Sequence, residues 1–150
     1  MKNLNLALFG MMFLASEVHS ASYRLESLRP AEARGQFGVA DIDNMGRTVG
    51  QQFRAYPQFE SEAWVQDSNG FRTLEASYAT AVNDHGWILA DESLFIDQSP
   101  VDLGTLGGTR TLAEALNNAG QVSGLSENTN GELMPFIWEC GRISSLVSDS

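Results

Sequence analysis

Short apolar runs alternate with clusters of turn-forming residues along this chain, and the spacing of those clusters repeats. Three segments align without gaps: Ala40-Asp-Ile-Asp-Asn-Met-Gly46-Arg-Thr-Val-Gly50, Thr80-Ala-Val-Asn-Asp-His-Gly86-Trp-Ile-Leu-Ala90 and Glu114-Ala-Leu-Asn-Asn-Ala-Gly120-Gln-Val-Ser-Gly124. Each is an apolar run, an Asn/Asp pair, a variable residue, a glycine and a second apolar run. The glycines at 46, 86 and 120 lie 40 and 34 residues apart. A second motif follows each copy: Ala63-Trp64-Val65 leading to Gly70 and Leu74, Leu94-Phe95-Ile96 leading to Leu103, and Phe136-Ile137-Trp138 leading to Gly141 and Leu146. Asn or Asp followed closely by Gly supplies the positive-φ positions of a tight reversal, and flanking alternation of apolar and polar residues makes each reversal a hairpin.

Each repeat therefore predicts four short strands. Their limits are near 38–43, 47–53, 62–67 and 70–75; 78–83, 87–91, 94–97 and 100–104; and 112–117, 121–126, 134–139 and 142–147. Tyr23 to Leu28 predicts an additional outer strand before the first copy. Only 111–117 approaches a helical period, and the alignment assigns it to a strand. The expected fold is all-β, with three antiparallel four-stranded units over about 37–75, 76–104 and 105–147. A unit of this size matches one blade of a β-propeller, but three blades fall short of the usual four to eight. The array is thus either a partial propeller, one completed by oligomerisation, or an open β-stack. An unclosed array leaves exposed edges, which favour oligomers.

Residues 1–20 read as a secretory signal: Lys2 opens it, Leu4 to Ala15 is apolar, and Val18-His19-Ser20 precedes the expected cut. The apolar run is shorter than the ~18 residues a membrane span needs. The expectation is a secreted or periplasmic bacterial protein with a β-repeat domain over 21–150 and no membrane span in the mature chain. Charge narrows the partners further. The chain has 150 residues, with 19 acidic and 9 basic side chains and a net charge of −10, which opposes binding to nucleic acid. Lys2 is the only lysine, so processing leaves eight arginines and no amine for a phosphate-binding loop, a Schiff base or a lysine-activated serine. His85 would be the one remaining imidazole, and the single Cys140 excludes disulfide frameworks and multi-cysteine metal sites.

A family resemblance enters through the third copy. Asp102-Leu-Gly-Thr-Leu-Gly-Gly-Thr-Arg110, continuing through Ala115-Leu-Asn-Asn-Ala-Gly-Gln-Val-Ser-Gly124 to Pro135-Phe-Ile-Trp138, resembles the bacterial HAF-repeat proteins. The match is close over 102–138 and looser over 22–97. The His-Ala-Phe triplet that names the family is replaced here by Glu62-Ala63-Trp64, Ser93-Leu94-Phe95 and Met134-Pro135-Phe136, so its histidine is missing each time. The resemblance implies an extracellular β-repeat protein and brings no catalytic residues with it.

Candidate chemistry is sparse. Asp41-Ile-Asp43-Asn44-Met45-Gly46 fails as an EF-hand, because Met45 and Gln52 stand where oxygen ligands are required. No metal or cofactor is expected. His85 fills a slot held by Met45 and Ala119 in the other copies, and no G-x-S-x-G elbow offers it a serine. Cys140 falls in a turn, as a free thiol or a symmetric intermolecular bridge. Gly104 to Gly108 reads as a flexible link between units, and the aligned Trp64, Phe95 and Phe136 as core. The longer segments 29–36, 54–61, 104–111 and 127–133 share one end of the units, and binding residues concentrate on such loops. Arg54, Tyr56, Arg110, Asn128 and Asn130 are the resulting binding candidates. The reading is a non-enzymatic exported protein acting by surface binding or self-association, with an extracellular or envelope partner. The alternative is a hydrolase or lyase using paired carboxylates such as Asp91 and Glu92.

Overall fold

A computed structural model of the chain describes residues 35–54 and 60–147. The expected signal segment 1–20, the strand expected over 23–28 and the candidate Tyr56 lie outside the described residues. Twelve strands and no helix are found among those described. They form three four-stranded antiparallel meanders in chain order. The first sheet holds β1 (Gln36–Ile42), β2 (Thr48–Arg54), β3 (Glu60–Asp67) and β4 (Gly70–Thr73). The second holds β5 (Ala79–Val82), β6 (Ile88–Ala90), β7 (Ser93–Ile96) and β8 (Ser99–Asp102). The third holds β9 (Gly107–Leu116), β10 (Val122–Asn128), β11 (Leu133–Glu139) and β12 (Arg142–Ser145).

Strand alternation explains how the sheets stack. In the second sheet Ile88, Ala90 and Phe95 pack with Val49, Ala63 and Val65 of the first sheet, while Leu89 and Leu94 between them pack with Val122, Phe136 and Trp138 of the third. The middle sheet thus has two buried faces, which accounts for the nearly continuous apolar runs of β5, β6 and β7. The repeat extends to its irregularities. Ala40, Thr80 and Glu114, aligned in sequence, are each skipped by the strand pairing, so every unit carries a β-bulge at the same place.

Two connections differ from expectation. The segment 104–108 is not a free link, because β9 begins at Gly107, which pairs with Asn128. A Cβ at Gly107 would lie 2.6 Å from the Thr129 methyl, and one at Gly108 would lie 2.6 Å from Glu127 Cγ, so glycine lets β9 run close beside β10. The segment 127–133 is not a long loop either. Strands β10 and β11 extend through it and leave a four-residue turn at 129–132.

The outer faces of the end sheets differ from the buried ones. On the first sheet, Trp64 is stacked on Phe71 at 5.7 Å between ring centroids, with Phe37 tilted at 6.3 Å. Val39 and Ile42 on that face are 61% and 63% exposed. On the third sheet the outer face carries Leu112, Leu125, Pro135 and Ile137, with Leu146 58% exposed at its margin.

Candidate functional site

The three repeated turns cluster at one end of the stack. Asp43, Asn83 and Asn117 open them, and each side-chain Oδ1 accepts two N–H groups of its own turn: from Met45 and Arg47 at 2.9 and 2.8 Å, from His85 and Trp87 at 3.1 and 3.0 Å, and from Ala119 and Gln121 at 2.9 and 2.9 Å. This local capping is the reason for Asn or Asp at the first turn position.

The second position does different work. Asn44 donates its backbone N–H to Asp84 Oδ1 at 3.0 Å and its Nδ2 to Asp84 Oδ2 at 2.9 Å. Asp84 donates its own N–H to Asn118 Oδ1 at 2.9 Å, and Asn118 Nδ2 donates back to Asp84 Oδ2 at 2.8 Å. A polar ladder therefore ties all three sheets together through one residue of each. The Asn44 side-chain and backbone hydrogen bonds hold the Asp84 carboxyl below its usual range, against the opposing effect of desolvation, with Asn118 and the neighbouring His85 adding to the lowering.

The residue after each turn glycine decides what fills the junction to the next sheet. Trp87 lies over Gly120, closing the junction between the second and third sheets with an indole ring. The equivalent Arg47 lies over Gly86 between the first and second sheets. Its Nη1 donates to Asp43 Oδ2 at 2.9 Å and to the Asn83 carbonyl at 3.4 Å. A cleft of about 210 Å³ opens there, walled by Arg47, Asp67, Asn69, Arg72, His85, Asp97 and Gln98 above Leu74, Ile88 and Phe95. Asp67 accepts Arg72 Nη1 at 2.7 Å and the Asn69 N–H at 2.8 Å. Desolvation pushes the Asp67 carboxyl up, but the hydrogen bonds from Arg72 and Asn69 and the positive charges of Arg72 and Arg47 outweigh it, leaving the pKa lowered. The Nε of Arg72 is buried and has no hydrogen-bond partner.

The residues singled out from sequence lie at the opposite end. Arg54 Nη2 pairs with Glu62 Oε2 at 3.1 Å, an acceptor shared with Gln52 Nε2 at 2.6 Å. Arg110 is exposed on β9. Beside it Glu127 accepts the Thr109 N–H and hydroxyl at 2.8 and 2.7 Å. Those two bonds, with Arg110's charge, lower the Glu127 pKa despite desolvation. Asn128 caps its own turn, accepting the N–H groups of Asn130 and Glu132 at 2.9 and 3.0 Å, so its side chain is taken up by structure. Asn130 is exposed at the tip. Arg110, Asn128 and Asn130 thus share one end of the third sheet, whereas Arg54 belongs to the first. At ~10 Å per sheet layer the two groups stand roughly 20 Å apart. Asp91 accepts the N–H groups of Ser77 and Tyr78 at 2.9 and 3.2 Å, which commits that carboxylate to the link between the first two sheets.

The cleft was not indicated by spacing or composition, since it arises from one filling residue, Arg47, standing where its counterpart is Trp87. Among the described residues no group of three or more His, Cys, Asp or Glu is placed to hold a metal ion, and no helix is long and apolar enough to cross a membrane. Comparison with protein-family models, curated proteins and solved structures gives no match.

Proposed function

We propose that this chain is an exported, non-enzymatic β-repeat protein, similar to the HAF-repeat group, that acts by surface binding and by association with further copies of itself. The observation that carries the reading is the contrast between the middle sheet and its neighbours. Positions buried on both faces of the second sheet recur on the outer faces of the first and third, where Val39, Ile42 and Leu146 remain exposed. A third-sheet outer face docked on a first-sheet outer face would repeat an interface the fold already uses twice. Such a contact is heterologous, and two chains joined in this way would supply six units, within the usual range for a closed ring. Light scattering of the purified protein across a concentration series tests this. A mass of two or more chains, reduced to one by Ile42→Asp or Leu146→Asp, is expected. A single-chain mass at every concentration would remove self-association, and turnover of a substrate dependent on His85 or on one carboxylate would remove the non-enzymatic reading.

A further inference from the structure

We infer that the cleft between the first and second sheets binds a single neutral sugar ring. The inference deepens the binding reading above and rests on it. The site is a departure from the repeat: the junction that Trp87 closes over Gly120 is held by Arg47 over Gly86, and a space of about 210 Å³ is left. That is below the roughly 300–1,000 Å³ of sites for drug-sized molecules and suits one ring.

Charge selects the class. Each guanidinium in the wall already has a carboxylate, Arg47 with Asp43 at 2.9 Å and Arg72 with Asp67 at 2.7 Å. Asp97 adds a further negative charge, so the site offers a small anion no net attraction. What it offers is a dense set of unspent hydrogen-bonding groups. The Asp97 carboxylate supplies acceptors, and the Asn69 and Gln98 amides supply both kinds. Hydroxyl groups donate and accept at once, so a polyol can meet such a mixture where a carboxylate or an ammonium group meets only half of it. Leu74, Ile88 and Phe95 lie at its base but are almost wholly buried, so the surface a ligand meets is mainly polar. The Asn44–Asp84–Asn118 ladder fixes the sheets on either side, so little ordering is left to binding.

The test is amide-resolved NMR titration of the protein with D-glucose, D-galactose, D-mannose and N-acetyl-D-glucosamine separately, with sodium phosphate and glycine as the anionic and zwitterionic controls. One or more sugars should give saturable shifts centred on residues 67–74, 85–88 and 95–98. Affinity should fall by about tenfold or more in Asp97→Gly, which suits the positive φ of 49° there while deleting the carboxylate. Binding should vanish in Arg47→Trp, which copies the filled junction. Absence of shifts with all four sugars, shifts with phosphate or glycine alone, or undiminished binding in Asp97→Gly would overturn the inference. Chemical conversion of a bound sugar would instead leave the site standing and overturn the non-enzymatic reading.

Discussion

The three turn glycines provide a graded test of how the stack is held. Gly46, Gly86 and Gly120 occupy the same repeat position with φ of 81°, 84° and 79°, so replacement by alanine imposes the same backbone penalty at each, about 1–2 kcal/mol for a left-handed residue with a Cβ. Their surroundings differ. A Cβ at Gly46 meets nothing within 4 Å. At Gly86 it would lie 2.6 Å from Arg47 Nη1, the end of a flexible side chain that can move aside. At Gly120 it would overlap Cζ3 of Trp87 and approach Cη2 to 3.0 Å, and the rigid ring can yield only by leaving the junction. Overpacking of that kind adds roughly 1–3 kcal/mol. Gly120→Ala should therefore lose about 2–5 kcal/mol in all and Gly46→Ala about 1–2 kcal/mol, with Gly86→Ala between them. Urea denaturation followed by tryptophan fluorescence measures all three. Equal losses at the three sites, or the largest at Gly46, would refute the claim that the indole closes the junction between the second and third sheets.

Three further outcomes are expected. Leu89→Ala, at a fully buried position between the second and third sheets, should cost about 2–5 kcal/mol, whereas Met45→Ala, at an exposed turn position, should change the denaturation midpoint little. The lowered pKa of Asp67 means that the unfolded chain binds more protons than the folded one as acidity increases; its contribution is present above the ordinary carboxylate pKa of 3.8 and is lost as pH falls through the lower folded value. Asp67→Asn should flatten that acid limb in urea midpoints collected from neutral pH down through this range. Cys140 sits at φ 49° ahead of Gly141 at φ 80° in the two-residue turn joining Glu139 to Arg142. Because Asn-Gly suits that turn, Cys140→Asn should raise stability by about 0.5–1 kcal/mol in thermal melts.

The units were legible because two periodic signals coincide in them. Asn/Asp pairs before Gly46, Gly86 and Gly120 mark the reversals, and alternation on either side marks the strands. Errors arose where one residue type serves two purposes. Glycines at 107 and 108 look like a hinge, yet in β9 they admit the neighbouring Thr129 and Glu127 side chains. Asn128 falls in a segment whose composition reads as a long loop, although Asn128-Thr-Asn-Gly131 has the same three-residue offset from Asx to Gly as the repeated turns, and that offset identifies a cap. The skipped residues Ala40, Thr80 and Glu114 share no side-chain chemistry, so nothing in their identity announces a bulge. The cleft was illegible for a different reason. It depends on which side chain spans from one unit to the next, a relation between residues 40 positions apart such as Arg47 and Trp87.

The ladder of Asn44, Asp84 and Asn118 has a direction. Each N–H points toward the following unit's side-chain oxygen, from Asn44 to Asp84 and from Asp84 to Asn118. The middle unit therefore has a receiving side and a giving side, like a brick with a groove and a tongue. Duplication or loss of one whole unit between equivalent turns would bring a tongue against a groove again. Copy number can then change by whole units while each hydrogen-bonded rung of the ladder stays matched.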